Sequence, residues 1–221
     1  MTIEEFREKA KDKEWAPGWD YIEDAFKEVY GDQNPEHFGT VITSRAIFGG
    51  NEYLDGYSAY KSDKGYSHVV TFGMSELYAV EEKFGGEFSK WGYEMTIKLK
   101  DTEPKDCVWA MNMMGNLARY TFTSERWFEP GQYVGSAQNP SSINLAQPNS
   151  AITSLLITED TEVSGRQTIY GELLFLQLVG ITTNEFIKVK EDRSLVPVLL
   201  ERLRADYPDL ETDMNRTKDY I

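Results

Sequence analysis

The chain has 221 residues, enough for one sizeable core, and its 37 acidic side chains outnumber 23 basic ones to give a formal charge of −14. That charge repels a phosphate backbone, which argues against direct nucleic-acid binding and suits either a basic partner or solubility alone. The single cysteine, Cys107, excludes an internal disulfide, while the lack of a signal-peptide pattern and of a long apolar run predicts a cytoplasmic protein with no membrane span.

Two helices are predicted at the start of the chain. Thr2 and Glu5 have the spacing of a capping box, which predicts a short charged helix reaching about Lys13. The second helix starts near Pro17 and ends at Gly31. Its apolar residues share one helical face: Trp19, Ile22, Phe26 and Val29.

The segment from His37 to Leu99 is rich in Gly, Tyr, Thr and Val, and it predicts several strands joined by short turns. The clearest strand runs from Gly92 to Lys100, where apolar and polar residues alternate. Because side chains of a strand point alternately to its two faces, this pattern predicts one face on the core and one in water.

The second half continues with a helix from Asp106 to Thr121 and a polar loop from Gly135 to Ser150. Strands follow at Ile152 to Thr158 and at Glu172 to Val179, and the latter is apolar enough to be covered on both faces. A last helix runs from Leu195 to Ala205.

The order of these elements predicts an α+β fold, with a mixed, mainly antiparallel β-sheet flanked by helices. No long Pro- or Ser-rich linker divides the apolar signals, so a single domain is expected over residues 1–221. It carries a helical extension at 1–16 and a polar tail at 207–221, which needs either a partner or the body of the domain to order it.

Motifs for metal, nucleotide or hydrolytic chemistry are absent from the sequence, so no cofactor and no metal are expected. One enzyme hypothesis rests on His68, which can titrate near neutrality; the alternative is a packed, hydrogen-bonded strand histidine. Carboxylate pairs such as Glu159 and Asp160 fall in polar segments and are expected to be solvated.

Aromatic side chains outside the helical core stripes suggest a protein-binding surface, because Tyr and Trp are preferred anchors of interfaces. Pleat alternation directs about half of the strand rings into the core, so each single tyrosine is undecided. The candidate contact residues, with their acidic neighbours, are Asp55, Tyr57, Tyr60, Glu76, Tyr78, Trp127 and Glu129.

Four motifs in order resemble the suppressor-of-fused family: LDGYSAYK at 54–61, FGMSELY at 72–78, NLARYTFTSE at 116–125 and GELLFLQLVGIT at 171–182. The resemblance implies a mixed α/β domain that is not an enzyme and holds other proteins. It covers the first lobe of the larger animal regulators, and Tyr78 matches a tyrosine that takes part in peptide recognition there. Single-domain members of this kind are typical of bacteria, where many resemble immunity proteins that neutralise toxins.

The leading hypothesis is therefore a non-enzymatic binding module, most specifically an immunity protein that binds a basic toxin domain directly. The alternatives are a regulatory scaffold that sequesters a transcription factor or signalling protein, and an enzyme that uses His68. None of them needs nucleic acid or a membrane as a direct partner.

Overall fold

The computed structural model describes residues 1–40, 54–135 and 149–221. The described strands are β1 (Glu36–Gly39), β2 (Gly56–Lys61), β3 (Tyr66–Phe72), β4 (Phe88–Lys100), β5 (Tyr133–Val134), β6 (Ile152–Glu159), β7 (Arg166–Thr168) and β8 (Gly171–Thr182). The described helices are α1 (Ile3–Lys9), α2 (Pro17–Tyr30), α3 (Val108–Ser124), α4 (Thr183–Glu191) and α5 (Leu195–Asp206). Short 3-10 turns lie at Glu81–Lys83 and Pro104–Cys107. The predicted α+β class is confirmed.

The described strands form one sheet in the order β1-β2-β3-β4-β8-β6-β5, and β7 pairs with the start of β8. β4 and β8 run parallel, while the other pairings are antiparallel. A parallel pair needs a long crossover, and the chain between these two strands contains α3. The sheet is therefore mixed and mainly antiparallel, as predicted.

Strand β8 lies at the centre of the sheet and is covered on both faces, as its apolar sequence predicts. Leu176 and Leu178 belong to the cluster that α3 covers, whereas Leu173 and Phe175 belong to the cluster beneath α2. Further along the strand, Ile181 joins a third cluster with α4 and α5. Burial on this scale is the main favourable term that holds the layers together.

The prediction that β4 has one face in water is wrong. Tyr93, Met95, Ile97 and Leu99 face the core as expected, but Glu94, Thr96 and Lys98 are also fully buried, at 0% exposure. Their side chains bond to residues of the turn after β3 and of the segment after β6, which lie over this face. The second face of β4 is thus a buried polar layer instead of a solvated surface.

The N-terminal extension packs onto the rest of the chain through Phe6. This ring is 1% exposed and contacts Trp15, Phe84 and Tyr170 at centroid distances of 5.3, 5.3 and 6.3 Å. The capping box at Thr2 is present, but α1 ends at Lys9, earlier than the predicted Lys13. α2 begins at Pro17, as predicted.

The tail at 207–221 is ordered by the body of the domain. Thr212 forms a bridge with Leu99 and exchanges backbone hydrogen bonds with the end of β4, from its N–H to Lys98 (2.8 Å) and from Lys100 to its carbonyl (3.0 Å). The last β4–β8 partner pair is Ile97 with Leu178, so Thr212 takes the place beside β4 that β8 has left.

The structure also contains a helix that the sequence analysis did not predict, α4 at Thr183–Glu191. It follows β8 without a loop, and the Thr182 side chain and Glu185 form a capping box at its start. The predicted polar loop at 135–150 lies mostly outside the described residues.

Candidate functional site

Tyr78 and Asp55 form an exposed aromatic and acidic pair. The Tyr78 side chain is 46% exposed, and its hydroxyl donates a hydrogen bond to the Asp55 carboxylate. Asp55 is half-buried at the start of the β2 region, with its N–H bonded to the Phe72 carbonyl (2.8 Å). The structure therefore brings together two of the predicted contact residues that lie 23 positions apart.

The backbone beneath Tyr78 is held at several points. The Tyr170 hydroxyl donates to the Tyr78 carbonyl (2.6 Å), and the Gly18 N–H donates to the Leu77 carbonyl (3.0 Å). A Cβ at Gly18 would lie 1.7 Å from the Glu76 carbonyl oxygen, so only glycine permits this approach of α2. Tyr78 therefore projects from a fixed segment, which lowers the entropic cost of using it as an anchor.

Glu94 organises the turn that precedes Tyr78. Its buried carboxylate accepts hydrogen bonds from the N–H groups of Gly73 (3.0 Å), Met74 (3.3 Å) and Ser75 (2.9 Å), and from the hydroxyls of Ser75 and Thr71 (both 2.6 Å). Burial raises the pKa of Glu94, while the hydrogen bonds from Ser75 and Thr71 oppose that shift. One acidic side chain thus satisfies three backbone donors of this turn.

We expect Glu94→Gln to lower the free energy of unfolding by about 1–3 kcal/mol. Both carboxylate oxygens of Glu94 accept hydrogen bonds, whereas the side-chain amide nitrogen of Gln is a donor and cannot accept them. Urea denaturation measures the loss. Glu82→Gln, at an exposed position, is the matched control and should shift the free energy by less than about 0.5 kcal/mol. Equal stability of the two variants would show that the turn does not depend on the Glu94 charge.

Trp127 and Glu129 form a second exposed pair. Trp127 is 55% exposed, and its indole N–H donates to the Glu129 carboxylate at 3.3 Å. Both residues follow α3, whose C-terminus is marked by Glu125 in the left-handed conformation (φ 56°). The structure therefore leaves both predicted residues accessible.

Tyr57 and Tyr60 are buried, which removes them from the accessible surface. Tyr57 is 7% exposed beneath α3, where a Cβ at Gly115 would lie 2.8 Å from the Tyr57 hydroxyl oxygen. Tyr60 is 4% exposed and stacks on Phe26 and Tyr30. Burial raises the pKa of Tyr60 to about 12. Both point into the core because β2 is covered on its two faces, so alternation did not expose either ring.

Glu76, the remaining predicted contact residue, is half-buried next to Leu77. Its backbone N–H donates to the Ser89 hydroxyl (3.0 Å), which joins this segment to the start of β4.

His68 lies in a closed polar cluster. Its Nε2 is 2.8 Å from the Asp160 carboxylate and its Nδ1 is 2.9 Å from the Tyr30 hydroxyl. The Lys98 ammonium is 3.2 Å from Asp160 and 3.1 Å from Glu162. The side chains of His68, Lys98 and Asp160 are all 0% exposed.

This cluster corrects two expectations. Asp160 is buried instead of solvated; burial alone would raise its pKa, but His68 and Lys98 hold the pKa of that carboxyl well below its usual range. His68 is the packed strand histidine of the alternative interpretation. Because its ring is sealed from solvent and both its nitrogens have partners, the geometry gives an external substrate no access to it.

Within the described residues, no group of three or more His, Cys, Asp or Glu side chains is placed to hold a metal ion. Cys107 is fully buried, and burial raises the pKa of its thiol to about 12. The thiol therefore stays protonated at neutral pH and packs as a small apolar group. Across residues 1–40, 54–135 and 149–221, the helices are too short or too polar to cross a bilayer.

A family model described as "Suppressor of fused protein (SUFU)" matches residues 50–217, more than half of the chain. The chain belongs to the suppressor-of-fused family. The resemblance read from the four motifs is thereby confirmed. The exposed Tyr78 lies within the matched region, as do Trp127 and Glu129.

Curated relatives include the suppressor of fused homologues of Homo sapiens and Mus musculus. They are 34% and 33% identical to this chain over 208 residues, which cover 86% of this chain and 41% of each relative. The SUFU chain therefore spans less than half the length of these relatives.

Solved structures of the family share the fold. The crystal structure of the Sufu–Fu complex matches with a TM-score of 0.77 and 24% identity over 93% of both chains. Drosophila Suppressor of Fused matches with a TM-score of 0.73 and 25% identity, over 93% of this chain and 51% of the other. A SUFU homologue from Neisseria gonorrhoeae matches at 0.60 with 14% identity, over 92% and 97% of the two chains.

Proposed function

We propose that this SUFU chain is a protein-binding module without catalytic activity, and that it acts as an immunity protein which neutralises a toxin by direct contact. The observation that carries the proposal is Tyr78: a nearly half-exposed ring on a fixed backbone, beside a carboxylate. A rigid aromatic anchor of this kind contributes large contact area at low entropic cost.

Two further observations support a protein partner. The crystal structure of the Sufu–Fu complex, which shares the fold, is by its description an assembly of a family member with another protein. His68, the residue of the enzyme hypothesis, is buried and hydrogen-bonded through both ring nitrogens, which favours a binding role over a catalytic one.

The acidic surface supports a basic partner. With a formal charge of −14, the SUFU chain attracts a positively charged protein over distances of about a Debye length and raises the rate of encounter. A toxin that acts on nucleic acid carries such a positive surface, because it must bind phosphates. Covering that surface would block the toxin without any chemical step.

A regulatory scaffold is the second candidate, favoured by the identity with the human homologue. The two roles differ in what the partner does. Coexpression distinguishes them, since an immunity protein must restore growth to cells that produce the partner, whereas a scaffold need not.

We expect coexpression of the wild-type chain with the toxin encoded beside its gene to restore colony formation, and Tyr78→Ala to weaken binding of that toxin by about tenfold or more. Calorimetry on the purified pair measures the affinity. Val108→Ala is the matched control, because Val108 and Tyr78 are equally exposed at 46%.

The control variant should bind like the wild type. No rescue of growth would reject the immunity role, and capture of a non-toxic regulator from native cells would favour the scaffold. Unchanged affinity of Tyr78→Ala would reject Tyr78 as the anchor.

A further inference from the structure

The N-terminal helix α1 packs against the segment of residues 77–84, called here the Tyr78 segment. Of the seven residues of α1, all within the described part of the chain, Phe6 alone is buried. The Phe6 ring contacts Phe84 in the Tyr78 segment, at a centroid distance of 5.3 Å. It also meets the ring of Tyr170 edge-on at 6.3 Å. One side chain of α1 therefore contacts both the Tyr78 segment and the residue that holds its backbone.

Tyr170 connects α1 to the backbone of Tyr78. The Tyr170 hydroxyl donates to the Tyr78 carbonyl (2.6 Å) and accepts the Val80 N–H (3.4 Å). Tyr170 is 1% exposed, and burial raises the pKa of its hydroxyl to about 12, so the group stays a donor at neutral pH. Because Phe6 packs against this ring, its removal would leave a cavity beside Tyr170 and admit water that competes for the Tyr78 carbonyl.

An ion pair is a second contact between α1 and the Tyr78 segment. Arg7 donates to the Glu81 carboxylate from Nε (2.9 Å) and from Nη2 (2.5 Å). The two side chains are 57% and 46% exposed, so water and salt screen the pair and its contribution is small. Glu81 begins the 3-10 turn, and Phe84 follows its last residue. Helix α1 thus contacts both ends of the turn that follows Tyr78.

Helix α1 depends on this tertiary contact for its own structure. Its seven residues are too few for a helix that persists alone in water, where about 12–15 are needed. The capping box at Thr2 orders only the first turn. Loss of the Phe6 contact would therefore detach the whole helix, and such local opening of a chain end needs less free energy than global unfolding.

We propose that α1 is a clamp that fixes the backbone of the Tyr78 segment, and that its docking sets how tightly the exposed Tyr78 ring binds a protein partner. Phe6 and Tyr170 are positioning residues, because both are 1% exposed and act on Tyr78 from beneath the surface. Release of α1 would add the entropic cost of ordering the segment to the cost of binding. The inference rests on the proposed function, since it concerns the same Tyr78 site.

The first test needs no partner. Amide hydrogen exchange of the purified full chain, measured by mass spectrometry on peptides that cover residues 77–84, reports opening of the Tyr78 segment. We expect Phe6→Ala and Tyr170→Phe each to raise exchange there by about tenfold or more, while residues 93–99 of β4 keep the wild-type rate. Phe6→Leu retains most of the apolar contact and should give an intermediate rate.

Phe186→Ala is the matched control. Phe186 is 4% exposed and packs against Tyr133 in the cluster with α4 and α5, whereas Leu77 of the Tyr78 segment belongs to the cluster beneath α2. This variant loses a buried ring of the same size, so it should lower the global stability without raising exchange at residues 77–84. Unchanged exchange in Phe6→Ala, or a rise that extends equally to residues 93–99, would overturn the clamp.

The second test measures by calorimetry the affinity for the toxin encoded beside the gene. Phe6→Ala and Tyr170→Phe should each weaken binding several-fold. A double-mutant cycle separates positioning from a general structural role, because Phe6→Ala should cause no further loss once Tyr78→Ala has removed the ring. An equal loss from Phe6→Ala in the presence and absence of the Tyr78 ring would contradict the proposed coupling.

These outcomes distinguish the clamp from the proposed function. Faster exchange in Phe6→Ala, together with no toxin binding by the wild type, would reject the immunity role and retain the clamp. Toxin binding that depends on Tyr78 but is unaffected by Phe6→Ala would reject the control of affinity by α1 and retain the immunity role.

Discussion

Asp160→Ala is expected to destabilise the fold by about 3–5 kcal/mol, because it leaves the buried charge of Lys98 and the ring of His68 without their shared partner. The same carboxylate accepts the N–H groups of Glu162 (2.9 Å) and Val163 (3.0 Å), so the turn after β6 loses its closure as well. Since small proteins are stable by only about 5–15 kcal/mol, this variant lies near the limit of folding. Urea denaturation at pH 7 measures the change.

Asp160→Asn keeps the turn and removes the charge, so it should fold and lose less, about 1–3 kcal/mol. The pKa of Asp160 is lowered in the folded state relative to about 3.9 in the unfolded chain, so its contribution is complete above about pH 5. It is lost as the pH falls below about 4 towards the folded-state pKa. The stability difference between wild type and Asp160→Asn should therefore be constant from pH 7 to 5 and shrink at lower pH.

The exposed Asp63, in the turn between β2 and β3, supplies the control. Asp63→Asn should match the wild type within about 0.5 kcal/mol. A wild-type stability retained by Asp160→Ala would mean that the buried charges are compensated without it, and a gap that widens on acidification would reverse the assigned direction of the pKa shift.

Arg216→Ala should also cost about 3–5 kcal/mol and release the tail. The guanidinium makes two parallel hydrogen bonds to the Glu185 carboxylate, at 2.8 and 3.0 Å, and donates to the Gly180 carbonyl at 3.0 Å. Both side chains are at most 3% exposed, so removing Arg216 leaves the buried Glu185 carboxylate without its positively charged partner. Hydrogen exchange of residues 210–221 reports the release, and chemical denaturation reports the energy.

Lys218→Ala is the control in the same tail. Lys218 pairs with Asp206, but both side chains are about half or more exposed, and such surface pairs contribute about 0–1 kcal/mol. Slow exchange retained by Arg216→Ala would show that the tail is held by its apolar contacts alone.

The hydrophobic core of this domain can be predicted from its sequence, whereas its buried polar layer cannot. The run from Leu173 to Ile181 reads correctly as a central strand because continuous burial needs a continuous apolar sequence. The sequence predicts that Glu94 and Lys98 are solvated, because charged side chains are seldom buried. The partners that make their burial possible, Gly73 and Asp160, lie in distant parts of the chain.

The sequence analysis also missed the start of helix α4. The capping box of Thr182 and Glu185 marks the start of α4, but it follows directly on a long strand and was not interpreted as a helix start.

For the candidate site, composition predicted accessible aromatic and acidic residues, and Tyr78, Trp127 and Glu129 are accessible. Tyr57 and Tyr60 were predicted in the same way and are buried, because the cover over β2 comes from α3 and α2, far along the chain.

The late position of Thr212 in the sequence determines when β4 can complete its pairing during synthesis. When the ribosome has just released β4, neither β8 nor Thr212 has yet been translated, so the strand at the middle of the sheet has no neighbour on one side. The nascent polypeptide then exposes an unpaired, half-apolar edge, of the kind that invites aggregation. Native pairing around β4 is completed only after translation has passed residue 212.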